Sequence, residues 1–160
     1  MTSLKQLKQS GFTVIELMIV VIVIGGLAWL VLITFNGIRQ QNRDTERERD
    51  IKALHYLTEA YWGLKGYYPS LTEMNDRTAN TGFVAVNLKG LEDGEFKDPK
   101  GTSSVLVATP ATNAYSYAVT NAAGESCEAD PTTCAKYTFT ATLEGTINGL
   151  TTFTRQNISN

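Results

Sequence analysis

Residues that carry chemistry are scarce in this sequence. Its 160 residues include one histidine, His55, two cysteines and four prolines. No nucleophile motif, phosphate-binding loop or metal-ligand spacing surrounds that histidine, so no convergent set of titratable groups is expected and catalysis is not indicated. His55 reads as a helix-surface or sheet-contacting residue. Two cysteines, Cys127 and Cys134, are too few for a disulfide scaffold or a four-ligand zinc site. They are either one bridge, if this region lies outside the cytosol, or two thiols in a loop. An excess of positive charge is also missing. The 14 Lys and Arg residues face 16 Asp and Glu, for a net charge of −2. The positives are interleaved with acids, most clearly in residues 39–50, and no basic stripe with aromatics occurs. Nucleic acid is therefore not indicated as a partner.

What the chain does have is a long apolar run. Residues 12–35 read FTVIELMIVVIVIGGLAWLVLITF, and Glu16 is their only charge. As a helix this run is about 36 Å long, enough to span a hydrocarbon core of about 30 Å with some tilt. A secretory signal peptide has a shorter apolar region that closes on a small-x-small site, and neither holds here. Lys5 and Lys8 precede the run without any acid, which keeps that end cytoplasmic by the positive-inside tendency. Arg39, Arg43, Arg47 and Arg49 beyond the run pull the other way. About 120 residues remain for a water-soluble core, enough for a small one but not for a large catalytic cleft.

Three details distinguish the run from a plain anchor. Gly11 stands at the polar–apolar junction, Phe12 follows it, and Glu16 lies inside the apolar stretch. A carboxylate there is costly, and such a residue is a functional candidate by default. Gly11-Phe12-Thr13-Val14-Ile15-Glu16-Leu17 resembles the type IV prepilin cleavage motif. The resemblance implies that a membrane-embedded prepilin peptidase cuts after Gly11 and methylates the new amino group of Phe12. It also implies that Glu16 matches that amine on a neighbouring subunit as a filament grows. An acid and an amine buried together neutralise each other, while each alone is costly. Many major pilins carry a proline later in the run, where the helix kinks. Here there is none, and Gly25-Gly26 is the weak spot, either for helix loosening or for close helix packing.

From Asn36 to about Gly63 the chain continues helical. Residues 39–50 are almost entirely polar, with opposite charges at helical spacing: Asp44–Arg47, Glu46–Arg49, Arg47–Asp50 and Glu48–Lys52. Each such pair adds at most about 0.5 kcal/mol. A stripe then begins at Ile51, Leu54, Leu57, Tyr61 and Leu64, which needs a partner surface. The helix is expected to end between Gly63 and Gly66, with Tyr67-Tyr68-Pro69 as the exit. The segment from Arg43 to Leu71 resembles the helix-to-turn region of pilins and of the major pseudopilins of type II secretion.

Residues 68–101 read as a long connection with a few short elements, ending in the turn signal Asp98-Pro99-Lys100-Gly101, which loosely resembles the turn before the sheet in the major pseudopilins. Period-two alternation in 114–120 and 136–143 predicts half-buried antiparallel strands. Val105 to Ala108 is a further candidate, and another follows the hairpin signal Asn148-Gly149, near 150–154. A Cys127–Cys134 bridge would close a short loop between strands and contribute about 2 kcal/mol. Glu125, Glu128 and Asp130 cluster there. The resemblance implies that pseudopilins of this type often bind calcium, which takes six to eight oxygens; three acids in a polar turn read as solvated, no calcium-site acids transfer onto this C-terminus, and no cofactor is expected, with calcium as the alternative.

The expected fold class is α+β, a long N-terminal helix packed on an antiparallel sheet of three to four strands, pilin-like. The expected division is a leader at 1–11, a membrane and filament-core helix at 12–35, its amphipathic continuation at 36–66, and an extracellular head at 67–160. The resemblance implies a non-enzymatic subunit of a homo-oligomeric type IV pilus-like filament. It would be held in a bacterial cytoplasmic membrane with its N-terminus cytoplasmic, processed by the prepilin peptidase and fed through an inner-membrane assembly platform into an extracellular or periplasmic filament. A pseudopilin of a type II secretion or DNA-uptake system is the alternative. A membrane-tethered binding domain is the remote one, and it needs neither Gly11 nor Glu16.

Overall fold

The computed structural model describes residues 11–158 of the chain. The expected leader, apart from Gly11, lies outside the described residues. The first element is helix α1, Val14–Lys65. Two short helices follow, α2 at Leu71–Asn75 and α3 at Phe83–Asn87, then a 3-10 turn at Asp93–Phe96; a second 3-10 turn, Pro131–Thr133, comes later in the chain. Three strands complete the order: β1 Tyr115–Asn121, β2 Cys134–Ile147 and β3 Leu150–Gln156. The chain divides between Arg39 and Gln40 into two units.

The first unit contributes the apolar part of α1. The large apolar side chains described there are exposed, from 82% at Phe12 down to 44% at Val20. Among the described residues, one helix is long and apolar enough to cross a membrane. A helix apolar on every face, with no protein packed against it, needs another apolar environment.

The second unit is an antiparallel sheet of order β1-β2-β3 covered on one face by the remainder of α1. Tyr115 opposes Ala141, Tyr117 opposes Phe139 and Val119 opposes Tyr137. These inward residues are buried, as the alternation predicts. They form one core with Ile51, Leu54 and Tyr61 of α1. Tyr117, Tyr137, Phe139 and Tyr68 pack ring against ring, with centroids 4.6–5.7 Å apart, a spacing at which aromatic pairs attract. Asn148 and Gly149 both take positive φ, 53° and 80°, which gives the tight hairpin between β2 and β3. At the helix end Gly66 has φ 79° and its N–H donates to the Trp62 carbonyl at 2.7 Å, a left-handed stop that glycine makes without strain.

Several expectations are corrected. Val105 to Ala108 is not a strand; only Val107 bridges to Ser116, in parallel sense. The sheet therefore has three strands. Leu64 is not on the buried stripe: it is 83% exposed, and Leu57 is half-buried. Thr58, fully buried, takes the place between Leu54 and Tyr61 because 3.6 residues per turn carries the stripe from 54 to 58 rather than to 57 alone. The largest correction concerns residues 39–50, read from sequence as a polar stretch of helix held by charge pairs at helical spacing. Asp44, Arg47 and Asp50 are buried. They extend the inward stripe by two turns as charges, not as apolar groups.

Candidate functional site

The start of α1 is built by its own sequence. Gly11, Phe12 and Thr13 precede the helix. Thr13 Oγ1 accepts from the Glu16 N–H at 3.3 Å, and a Glu16 carboxylate oxygen accepts from the Thr13 N–H at 3.5 Å. This is a reciprocal capping box, which satisfies two of the backbone donors that a helix N-terminus leaves open. The carboxylate also lies in the first turn, where the helix dipole favours negative charge. The Gly11–Phe12 peptide bond thus sits in non-helical, exposed chain immediately before a capped helix. Sequence reasoning singled out Gly11, Phe12 and Glu16. It passed over Thr13, although Thr-x-x-Glu before an apolar run is the readable signal for the cap.

A second cluster lies in the other unit. Arg47, 1% exposed, meets Asp98 with two bonds, Nε to Oδ2 at 2.6 Å and Nη2 to Oδ1 at 2.9 Å. Its Nη1 reaches Asp44 at 2.7 Å and Glu144 at 3.0 Å. Glu144 also takes two bonds from Arg43, both 2.6 Å, and one from Lys100 at 2.8 Å. Asp44 further accepts the backbone N–H groups of Glu144 and Gly145, both at 2.9 Å. Three cations and three carboxylates therefore close on one another across α1, the 98–101 turn and β2. Hydrogen bonds from Arg43 hold the Glu144 carboxyl far below its ordinary range. Burial would raise Asp44, but the two backbone N–H groups and Arg47 outweigh it and the net shift is downward. Gly101 completes the turn: a Cβ there would stand 2.7 Å from the Asn113 carbonyl, so only glycine lets the turn come this close.

Of the helix-surface pairs read from sequence, Asp44–Arg47 forms at 2.7 Å and Glu48–Lys52 at 2.6 Å. Arg47–Asp50 and Glu46–Arg49 are not among the pairs of the described residues. Asp50 instead accepts from the Tyr115 hydroxyl at 2.9 Å, with exposed Arg49 at 3.7 Å. Burial pushes this carboxyl above its ordinary range. The folded protein therefore holds that proton more tightly than the unfolded chain does. The stabilising contribution is full below the ordinary value of about 3.9 and is lost as pH rises through the raised one. Asp50→Asn keeps an acceptor for Tyr115 and removes the buried charge. It is expected to raise the denaturation midpoint at pH 7 and to leave it unchanged near pH 3, as measured by urea titration at both pH values. A lower midpoint at pH 7 contradicts this account.

His55 contacts the sheet. Its Nδ1 is 2.7 Å from the Tyr137 hydroxyl, which donates to Glu59 at 2.7 Å. Tyr137 then accepts from His55, which places the ring proton on Nδ1. Burial lowers the His55 pKa. Cys127 and Cys134 are disulfide-bonded, with Cα atoms 5.4 Å apart. The nearby acids do not converge. Glu128 accepts from the backbone of Leu71 and Thr72 at the start of α2, at 2.7 and 3.1 Å; Glu125 binds Asn121; Asp130 binds Thr132. Among the described residues no group of three His, Cys, Asp or Glu is placed to share a metal ion.

Residues 6–32 match the family model of the prokaryotic N-terminal methylation motif. The chain is also similar to the type II secretion system core protein G of Aeromonas hydrophila, 29% identical over 99 residues that cover 59% of this chain and 69% of that protein. No solved structure matches the chain significantly.

Proposed function

We propose that this chain, a member of the type IV pilin and pseudopilin family, is a filament subunit held in the membrane by the apolar part of α1 and released into a filament after processing. The observation that carries this is the junction itself: a glycine, an aromatic and an acid in fixed spacing, with the Gly11–Phe12 bond in exposed non-helical chain before an apolar helix. A protease needs an extended, accessible segment, and the capping box keeps the helix from running back over it. On this reading Gly11 is the cleavage residue, Phe12 the methylated one and Glu16 the group that meets its amine on the next subunit. The N-terminus is cytoplasmic, and residues beyond the span lie across the membrane, where the Cys127–Cys134 bridge is stable. The family is structural, so a catalytic role is not proposed. The partners are other copies of the chain, the prepilin peptidase and an inner-membrane assembly platform.

A type IV pilus-like filament is the first reading. The second is a secretion pseudopilin, favoured by the similarity to protein G and by the lack of proline in the apolar run. Both make the same processing prediction. Protein recovered from a peptidase-competent cell is expected to begin at Phe12 and to carry one added methyl group, as read by intact mass and N-terminal sequencing. A bulky residue in place of Gly11 is expected to stop cleavage. Recovery of the full precursor alone from such a cell overturns the proposal.

A further inference from the structure

The two ends of the sheet unit differ in charge. At one end the Tyr68 N–H donates to the Cys134 carbonyl at 3.0 Å, and exposed Glu125, Glu128, Asp130 and Lys136 gather there. β2 runs from that end to Glu144 and Gly145 at the other, where they meet Asp44 of α1. Two loops make up the surface of this second end. One is the β2–β3 hairpin, residues 146–151, reading TINGLT. The other is residues 109–114, reading TPATNA, tied to β2 by the Thr142 hydroxyl donating to the Ala111 carbonyl at 3.2 Å. Neither loop contains a charge, and both are largely exposed, Leu150 at 63%. The adjoining charge cluster, Arg43, Arg47, Lys100, Asp44, Asp98 and Glu144, has three of each sign, and they pair with one another.

This end, whose two loops carry no charge, is also the one from which the chain returns to the apolar run. Gln40 stands beside Gly145, close enough that a Cβ there would lie 3.1 Å from Gln40 Nε2. Gln40 lies five positions beyond Phe35, the last residue of the run, a reach of at most about 18 Å. On the membrane-stored reading, a surface tethered within that reach of the span comes up against lipid headgroups. Unpaired charges there lose hydration, whereas hydroxyl and amide groups exchange water for phosphate and ester oxygens, and a leucine at the tip gains from the acyl boundary.

We propose that the 109–114 and 146–151 loops form a lipid-facing surface on which the stored subunit rests against the membrane headgroups. The proposal rests on the membrane-stored reading given above, and the charge cluster serves it by cancelling every carboxylate and cation it holds behind those loops. The test uses the full chain in vesicles of phosphatidylethanolamine and phosphatidylglycerol. Leu150→Cys, Thr112→Cys and, at the opposite end, Lys136→Cys each carry an environment-sensitive fluorophore; the native cysteines are bridged and do not react. Flotation first establishes that the chain is in the vesicles. Nitroxide placed near the lipid headgroup is then expected to quench the labels at 150 and 112 and to spare the label at 136. Floated protein with all three labels equally unquenched overturns the surface and leaves the membrane reading standing. A blue shift at 150 without quenching by lipid-borne nitroxide assigns the loops to contact with a second copy and also overturns it. A chain that does not float removes the membrane reading, and the surface with it.

Discussion

Arg47→Ala is expected to cost the sheet unit about 3–5 kcal/mol, because it strands carboxylates in a buried site rather than merely deleting contacts. Arg47 is 1% exposed and makes two bonds to Asp98, one to Asp44 and one to Glu144. Asp98 is equally buried, and its charge then has no cation within the cluster at that distance. Glu144 keeps Arg43 and Lys100, so its share of the loss is small. Arg47→Lys is expected to recover only part of the stability, since one ammonium cannot reproduce the planar two-bond fit to Asp98. Near-UV circular dichroism of the tyrosine core during urea titration, on the full chain in detergent, reads the change. A loss below about 1 kcal/mol would mean that the cluster behaves like a surface ion pair.

The same cluster sets the acid response. Glu144 and Asp44 are both held below their ordinary range by the groups that surround them. Groups of this kind contribute stability that is present above the unfolded value, about 4, and lost as pH falls toward the folded one. Asp50 works in the opposite sense, which is why its replacement and that of Arg47 are expected to diverge at pH 7.

Much of this architecture could be read from the residues, and the parts that could not share one cause. Alternation in 115–119 and 137–143 placed β1 and β2 with the correct inward face, because each apolar side chain states its own burial. Asn148-Gly149 gave the hairpin and Gly66 the helix stop. The burial of Asp44, Arg47 and Asp50 was missed, although the Asp44–Arg47 pair was read. Charged residues at helical spacing carry the same pattern whether they pair in solvent or with distant partners, and the partners here, Asp98 and Glu144, are 51 and 97 residues from Arg47. Helical phase alone contained a hint, since 44, 47, 51 and 54 lie on one stripe. The turn 98–101 was visible as a turn, but its task of presenting Asp98 to Arg47 is a tertiary fact. At the N-terminus the signal is local, and Gly11, Phe12 and Glu16 could be named from sequence; Thr13 was passed over although Thr-x-x-Glu before an apolar run carries the cap.

Glu16→Ala is expected to abolish filament formation while leaving insertion and cleavage intact. The residue stands one turn into an apolar helix and is too short to reach far toward water, so its charge is costly in lipid unless a cation meets it. In the single subunit the carboxylate caps α1 by accepting from the Thr13 N–H. On the proposed reading two roles are superimposed at Glu16, and three substitutions separate them. Thr13→Ala removes the hydroxyl half of the cap, a loss of about 1 kcal/mol, and is expected to assemble. Glu16→Gln can still cap, since glutamine serves at this position as well as glutamate, but it carries no charge; it is expected to fail in assembly. Glu16→Ala loses both and is expected to accumulate as mature monomer, because removing the acid lowers the cost of remaining in the membrane while leaving the incoming Phe12 amine unmatched. The measurement is the subunit in a sheared-filament fraction beside a membrane fraction, with intact mass to confirm cleavage after Gly11. Wild-type amounts of filament from Glu16→Gln would show that shape and capping suffice, and charge pairing with the Phe12 amine would have to be abandoned. Loss of filament in Thr13→Ala to the same extent as in Glu16→Ala would point instead to the capped helix start as the feature that assembly requires.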